Sequence, residues 1–137
     1  MKVFTSYFSN IPEVLKECPD AFFVSIAGKT PEWFTGAKYC KLAPKASWWN
    51  EWHNKFSEQL DSDESIAWYT DMYTITVLDA LRPDIVIKDL ASISNNAKTV
   101  VLLCYEKPEH FCHRQIVEVW LNACGIECKE WSNEGEN

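Results

Sequence analysis

Two periodicities of apolar residues run through the chain, and the places where one gives way to the other predict its elements. Val100 to Cys104 is a continuous apolar run rich in β-branched residues, the composition of a strand buried on both faces. From Ile116 onward the apolar positions Ile116, Val117, Val119, Trp120, Ala123 and Cys124 recur at helical spacing, while Gln115, Glu118 and Asn122 point elsewhere. Thr99 to Leu121 therefore reads as a strand, a loop and a helix.

The rest of the chain follows the same logic. Lys2 to Tyr7 forms a first strand, and Pro12 opens a short helix to Cys18. Pro19 and Asp20 turn the chain into a second buried strand, Ala21 to Ala27. Trp33 to Lys45, broken by Gly36 and Pro44, reads as a loop and a natural lid. Ser47 caps a helix reaching about Leu60, and the acidic Asp61 to Ser65 is a solvated turn. Ile66 to Leu81 has helical spacing, weakened by the β-branched run Thr74 to Val77. Pro83 starts a helix to Ser94, closed by Asn95 and Asn96, a residue type tolerated in left-handed turns. Gly125 stops the last helix, Ile126 to Trp131 is a short strand, and residues 132–137 form a flexible tail. Strand and helix alternate, which predicts an α/β fold. Residues 1–131 make one small three-layer domain with about four mostly parallel strands and helices on both faces.

Composition narrows the picture. At 137 residues the chain fits one domain, and 47% hydrophobic with 14% aromatic content marks a globular protein rather than a disordered one. The tryptophans at Trp48, Trp49 and Trp52 are expected in the core or a pocket wall. A net charge of −7 argues against duplex nucleic acid as a partner and leaves room for a small nucleotide or other anion. Met1 leads straight into a strand-like KVF with no apolar signal segment and no membrane span, so the six cysteines are expected to be reduced in the cytoplasm. No two of them have the C-x-x-C spacing of a zinc knuckle. A metal site from Cys104, His110, Cys112 and His113 is a minority reading, and no metal or cofactor is expected.

The candidate chemistry lies in EKPEHFCHR, where carboxylates, two histidines, a thiol and a guanidinium crowd the loop before a helix. A first helical turn offers unpaired N–H groups and partial positive charge, so it favours a thiolate at Cys112 and a bound anion. Arg114, one of only two arginines, is expected to clamp that anion. Cys112 is then the nucleophile or oxyanion-facing thiolate, His113 or His110 the proton-transfer group, and Glu106 the orienter of a histidine or arginine. Ser6, Ser25 and Lys29 are placed along the same sheet edge, and Tyr69 and Tyr73, four apart on one helix face, are candidates to stack on a flat ring. Competing structural readings make Cys112 a small buried hydrophobe, His113 a packed helix end, Lys29 a solvated charge, and Arg114 the partner of Glu106, Glu109 or Glu118. Gly28-Lys29-Thr30 after a strand suggests a phosphate loop, but the glycine required at position 23 is Phe23, so that reading fails.

LLCYEKPEHFCHR resembles the signature of domain-of-unknown-function family 488, whose members carry an "LLC-x-E…CHR" element before a helix. KVFTSYF, SIAGKTPEW, KYCKLAP, WYTDMYTITVLDAL and GIECKEW follow the order of one branch of that family, so nearly the whole chain is covered. The resemblance implies a Rossmann-like α/β fold and an origin in bacteria or their phages. It carries over Cys104, Glu106, Cys112, His113 and Arg114 as the matching positions. Many relatives have Asp-Val-Arg after the second strand where this chain has Ser25, Ile26 and Ala27, so no mechanism needing that arginine is transferred. The resulting expectation is a pocket that binds, and as an enzyme processes, a phosphorylated or nucleotide-like small molecule. Two other readings are a binding module without turnover, for a nucleotide signal or a partner protein, and a purely structural CHR element.

Overall fold

The run Thr99–Cys104 is strand β4, and its alternating side chains feed two separate cores. Val100 and Leu102 point into the larger cluster, Val101 and Leu103 into the smaller one, and all four are fully buried. Such double burial needs a neighbour strand on each side and a helical layer over each face. The computed structural model, which describes residues 1–133, supplies both.

β1 (Lys2–Tyr7) pairs with β4 from Lys2 opposite Thr99 to Tyr7 opposite Cys104, and β2 (Phe22–Ser25) pairs with its other side. β3 (Ala37–Lys38) and β5 (Cys128–Glu130) are the edges of a five-stranded sheet of order β3-β2-β4-β1-β5 in which every pair is parallel. The α/β expectation holds, with five strands in place of about four. The additional strand lies inside the stretch read as a lid. Two residues show no alternation, and only the backbone bond from Tyr39 N–H to the Ser25 carbonyl, 2.8 Å, and the pairing to β2 define it.

The first connection, through α1 (Ile11–Glu17), runs from β1 toward the β3 edge, and the last, through α5 (His113–Ala123), runs from β4 toward the β5 edge. Opposite directions put these helices on opposite faces. Val14 of α1 accordingly belongs to the smaller core, and Val117 and Leu121 of α5 to the larger. α2 (Ala46–Lys55), α3 (Asp63–Thr76) and α4 (Pro83–Ile93) join α5 on its face.

The helix boundaries carry physical corrections. α2 ends at Lys55 rather than near Leu60, and α3 starts earlier than Ile66 because Ser62 caps it, accepting from Ser65 N–H at 3.2 Å. Asp63 and Glu64 then sit in its first turn, where their charge complements the helix dipole, so the acidic stretch is a helix start and not only a turn. α3 stops at Thr76 within the β-branched run, and its last stretch becomes a short 3₁₀ turn, Leu78–Ala80. Asn95 and Asn96 both take positive φ (55° and 62°), and Gly125 does so at 81°.

The tail is partly anchored. Asn133 and the buried Asn10 exchange side-chain amide hydrogen bonds of 3.1 and 2.9 Å. The remainder of the expected flexible tail, residues 134–137, lies outside the described residues. Among those described, no helix is long and apolar enough to cross a membrane.

Candidate functional site

Parallel strands deliver their carboxyl ends to one edge of the sheet, and there β2 and β4 end side by side against the start of α5. A cavity of about 620 Å³ opens at that edge. Ala27, Gly28 and Lys29 after β2 form one wall, and Cys104, Tyr105 and Glu106 at and after β4 another. His110, Phe111, Cys112 and His113 close the side of α5, and Trp49, Asn50, Trp52 and His53 come from α2. Asp61 and Tyr69 add to the lining, with Pro44, Ala46 and Leu60.

Cys112 is the N-cap of α5, extended at φ −146° and ψ 148°, and helical backbone begins at His113. This is the junction the hydrophobic pattern predicts. It leaves Cys112 8% exposed and His113 5% exposed, both lining the cavity. The sulfurs of Cys112 and Cys104 lie at bonding distance, 1.97 Å, a disulfide across eight residues, so two of the six thiols expected to be reduced are paired. Cys18, Cys40, Cys124 and Cys128 are free.

The protonation of His113 follows from its surroundings. Nε2 lies 2.7 Å from the Ile26 carbonyl, which can only accept, so Nε2 carries the proton and the lone pair of a neutral ring sits on Nδ1. Nδ1 faces the Cys112 sulfur at 3.9 Å. Burial pulls the His113 pKa down to about 4, with the nearby Arg114 charge adding to it against the carbonyl bond, so the ring is neutral at physiological pH. Tyr73 packs behind it, ring centroids 5.5 Å apart, and donates its hydroxyl to the Leu42 carbonyl.

His110 lies on the exposed rim. Its Nδ1 is 2.8 Å from one oxygen of Asp61, and the other oxygen accepts the Phe111 backbone N–H, also at 2.8 Å. These bonds hold the Asp61 carboxyl below its usual range, and the Asp61 side chain raises the His110 pKa. The tip of the β4–α5 loop is thereby tied to the segment between α2 and α3.

Arg114 faces the other way. It is fully buried, forms a two-pronged ion pair with Glu130 of β5 (Nε–Oε1 2.9 Å, Nη2–Oε2 3.1 Å), and donates from Nη1 to the Cys104 sulfur at 3.4 Å. It does not line the cavity, so the anion clamp expected from its position in CHR is an internal ion pair, and its partner is none of the three glutamates considered. Glu130 in turn accepts from Thr5, and its backbone N–H donates to Glu118.

Of the predicted site residues, Cys112, His113, Glu106, His110, Lys29 and Tyr69 meet at the cavity. Tyr73 is one layer behind it. Ser6 is buried and accepts from Asn10 at 3.1 Å, while Ser25 bonds the Thr30 hydroxyl at 2.7 Å and shapes the loop before Lys29; neither lines the cavity. Lys29 is held by Tyr105, whose hydroxyl donates to its carbonyl. Trp48 is core, its indole N–H donating to Thr76, and Trp49 is the half-exposed wall residue, stacked on His53 at 5.0 Å. His53 and Asp61 are additions. The four-residue spacing of Trp49 and His53 on α2 is a sequence signal for the first, whereas Asp61 meets His110 only through the fold.

A three-layer parallel α/β domain with paired sulfurs and an imidazole at the carboxyl edge of its sheet defines the class. Within it, the chain belongs to the DUF488 family: residues 19–125, well over half of its length, match the family model described as the active DUF488-N3 subclade. Neither a curated protein nor a solved structure matches it.

Proposed function

We propose that the chain binds, and as an enzyme processes, a flat, nucleotide-like small molecule in the cavity at the carboxyl ends of β2 and β4, with its reacting atom against Cys112 and His113. The cavity itself carries the reading. Its volume of about 620 Å³ suits a nucleotide-sized guest, and its walls combine aromatic surface from Trp49, Trp52, Tyr69 and Phe111 with a few polar groups. A ring stacks on aromatic surface at little cost in specificity, and Lys29 and His110 offer positive charge to a phosphate. In the reduced protein, the neutral His113 Nδ1 is the group beside Cys112 able to take a proton, and the start of α5 favours negative charge there. Arg114 acts through Cys104 and Glu130, as a positioning residue.

The test is incubation of the reduced protein with a panel of nucleotides and nucleosides, followed by mass analysis of the solution and of the protein. Conversion that disappears in Cys112→Ser supports the enzyme. Retention of an unchanged compound by both proteins assigns a binding module instead, and no retention or conversion across the panel overturns the ligand class.

A further inference from the structure

The same corner carries a second kind of chemistry. Cys104 Sγ, Cys112 Sγ and a ring nitrogen of His113 all lie within 4.8 Å of one another, and all three residues are buried. They reach that point from two rigid elements, the end of β4 and the start of α5. We propose that in the reduced protein Cys104, Cys112 and His113 bind a divalent metal ion of zinc type through two thiolates and one imidazole, with the fourth position open to the cavity. This replaces the expectation of no metal. It stands on the ligand geometry and holds whether or not a nucleotide binds; with the ion bound, His113 Nδ1 is a ligand, so the proton-accepting role proposed above belongs to the metal-free dithiol protein.

Three observations carry it. The donor set is the right kind: two sulfurs and one nitrogen suit zinc, and three protein ligands with one open position are the pattern of catalytic rather than structural zinc. The surrounding shell is already built. A metal-bound histidine is normally oriented by donating its other N–H to a carbonyl or carboxylate, and His113 donates Nε2–H to the Ile26 carbonyl while Nδ1 faces the sulfurs. Cys104 sulfur likewise accepts from Arg114, whose charge is balanced by Glu130. Finally, the Cα atoms of the two cysteines are 7.2 Å apart, just beyond the roughly 4.4–6.8 Å that a disulfide usually spans, and two thiolates on a shared ion sit further apart than two bonded sulfurs.

All three ligand residues line the cavity, so a water or a substrate atom entering from it can take the fourth position. His110, grouped with these three in the sequence, is not a ligand because Asp61 holds it on the rim. In the disulfide form the sulfurs are bonded to each other, so the site belongs to the dithiol protein.

The experiment uses the full chain, purified with a reductant and dialysed against zinc or cobalt(II). Bound zinc of about one ion per chain is expected, together with thiolate-to-cobalt charge transfer and the intense visible bands of a four-coordinate cobalt site. Cys104→Ser, Cys112→Ser and His113→Gln are expected to lose the ion, while Cys40→Ser and Cys124→Ser, at exposed thiols, keep it. Absence of the charge-transfer band from folded, reduced wild-type protein overturns the proposal whatever the variants do. So does an ion that survives in the three ligand variants or leaves with the exposed cysteines.

Discussion

His113 and Arg114 are neighbours in the sequence and serve opposite sides of the β4–α5 junction. One helical step turns the chain by about 100°, enough to send the His113 ring to the cavity and the Arg114 guanidinium to β5. On the cavity side the polar groups are few and, apart from the bonds from His113 to Ile26 and from Arg114 to Cys104, His113 Nδ1 and the cysteine sulfurs are turned toward one another. On the far side each nitrogen of the Arg114 guanidinium has a partner in Glu130 or Cys104, Glu130 also accepts from Thr5, and Glu118 accepts from the Glu130 backbone. In the dithiol form the cavity side would leave the Cys112 sulfur and His113 Nδ1 free, whereas the far side commits the Arg114 guanidinium to fixed partners. The comparison teaches that a compact motif can be two devices sharing a helix start.

The split can be broken by substitution. Cys112→Ser should reduce turnover of any converted nucleotide by roughly 10³-fold or more, because one reactive atom is removed, while the melting temperature of the reduced, metal-free protein stays near that of the parent. Arg114→Ala should do the reverse in kind. It leaves the Glu130 carboxylate in a largely enclosed place without its partner, at about 3–5 kcal/mol, toward the lower end because a quarter of the Glu130 side chain meets solvent (26%). The expected drop in melting temperature is about 10 °C, read by calorimetry. Equal melting temperatures for the two variants would merge the devices.

Smaller changes sharpen the picture. Trp49→Ala removes a half-exposed cavity wall and should weaken binding of a ring-bearing ligand by about 1–3 kcal/mol, measured by titration calorimetry, with little change in stability. The smallest effect belongs to a pair outside the cavity lining. Tyr39 donates its hydroxyl to Asp89, which also meets Lys41, and these bonds hold the Asp89 carboxyl below its ordinary range, while burial and that carboxylate push the Tyr39 phenol up. A depressed carboxyl pKa stabilises the fold above the unfolded value of about 4, and that contribution fades as pH falls through the folded value. The raised phenol contributes fully below about pH 10 and loses its contribution as pH rises beyond that. Denaturant midpoints followed against pH should therefore show a small acid limb in the parent that is absent from Asp89→Asn.

Much of this architecture was readable from pattern alone, because β4 is apolar on both faces and the helices keep their period. Pro83 marked a helix start through its fixed φ, and Gly125, Asn95 and Asn96 marked helix ends because they tolerate positive φ. The meeting of Cys112 and His113 with the end of β2 followed from placing a buried parallel strand before a helix. Three things were not readable. β3 is too short for any period. Glu130 finds Arg114 across a sheet edge from 16 residues away, where local charge arithmetic favoured nearer glutamates. The choice of His113 over Arg114 as the cavity residue depends on where the first helical turn begins, and a shift of one residue would exchange them.

The most direct measurement is a nuclear magnetic resonance titration of isotope-labelled, reduced protein with the nucleotide that the panel retains. The largest shifts are expected at the indole N–H groups of Trp49 and Trp52 and at the amides of Gly28, Cys112 and His113, with Asn10, Thr5 and Glu130 unmoved. Shifts centred on the Arg114–Glu130 side, with the cavity residues silent, would contradict the assignment.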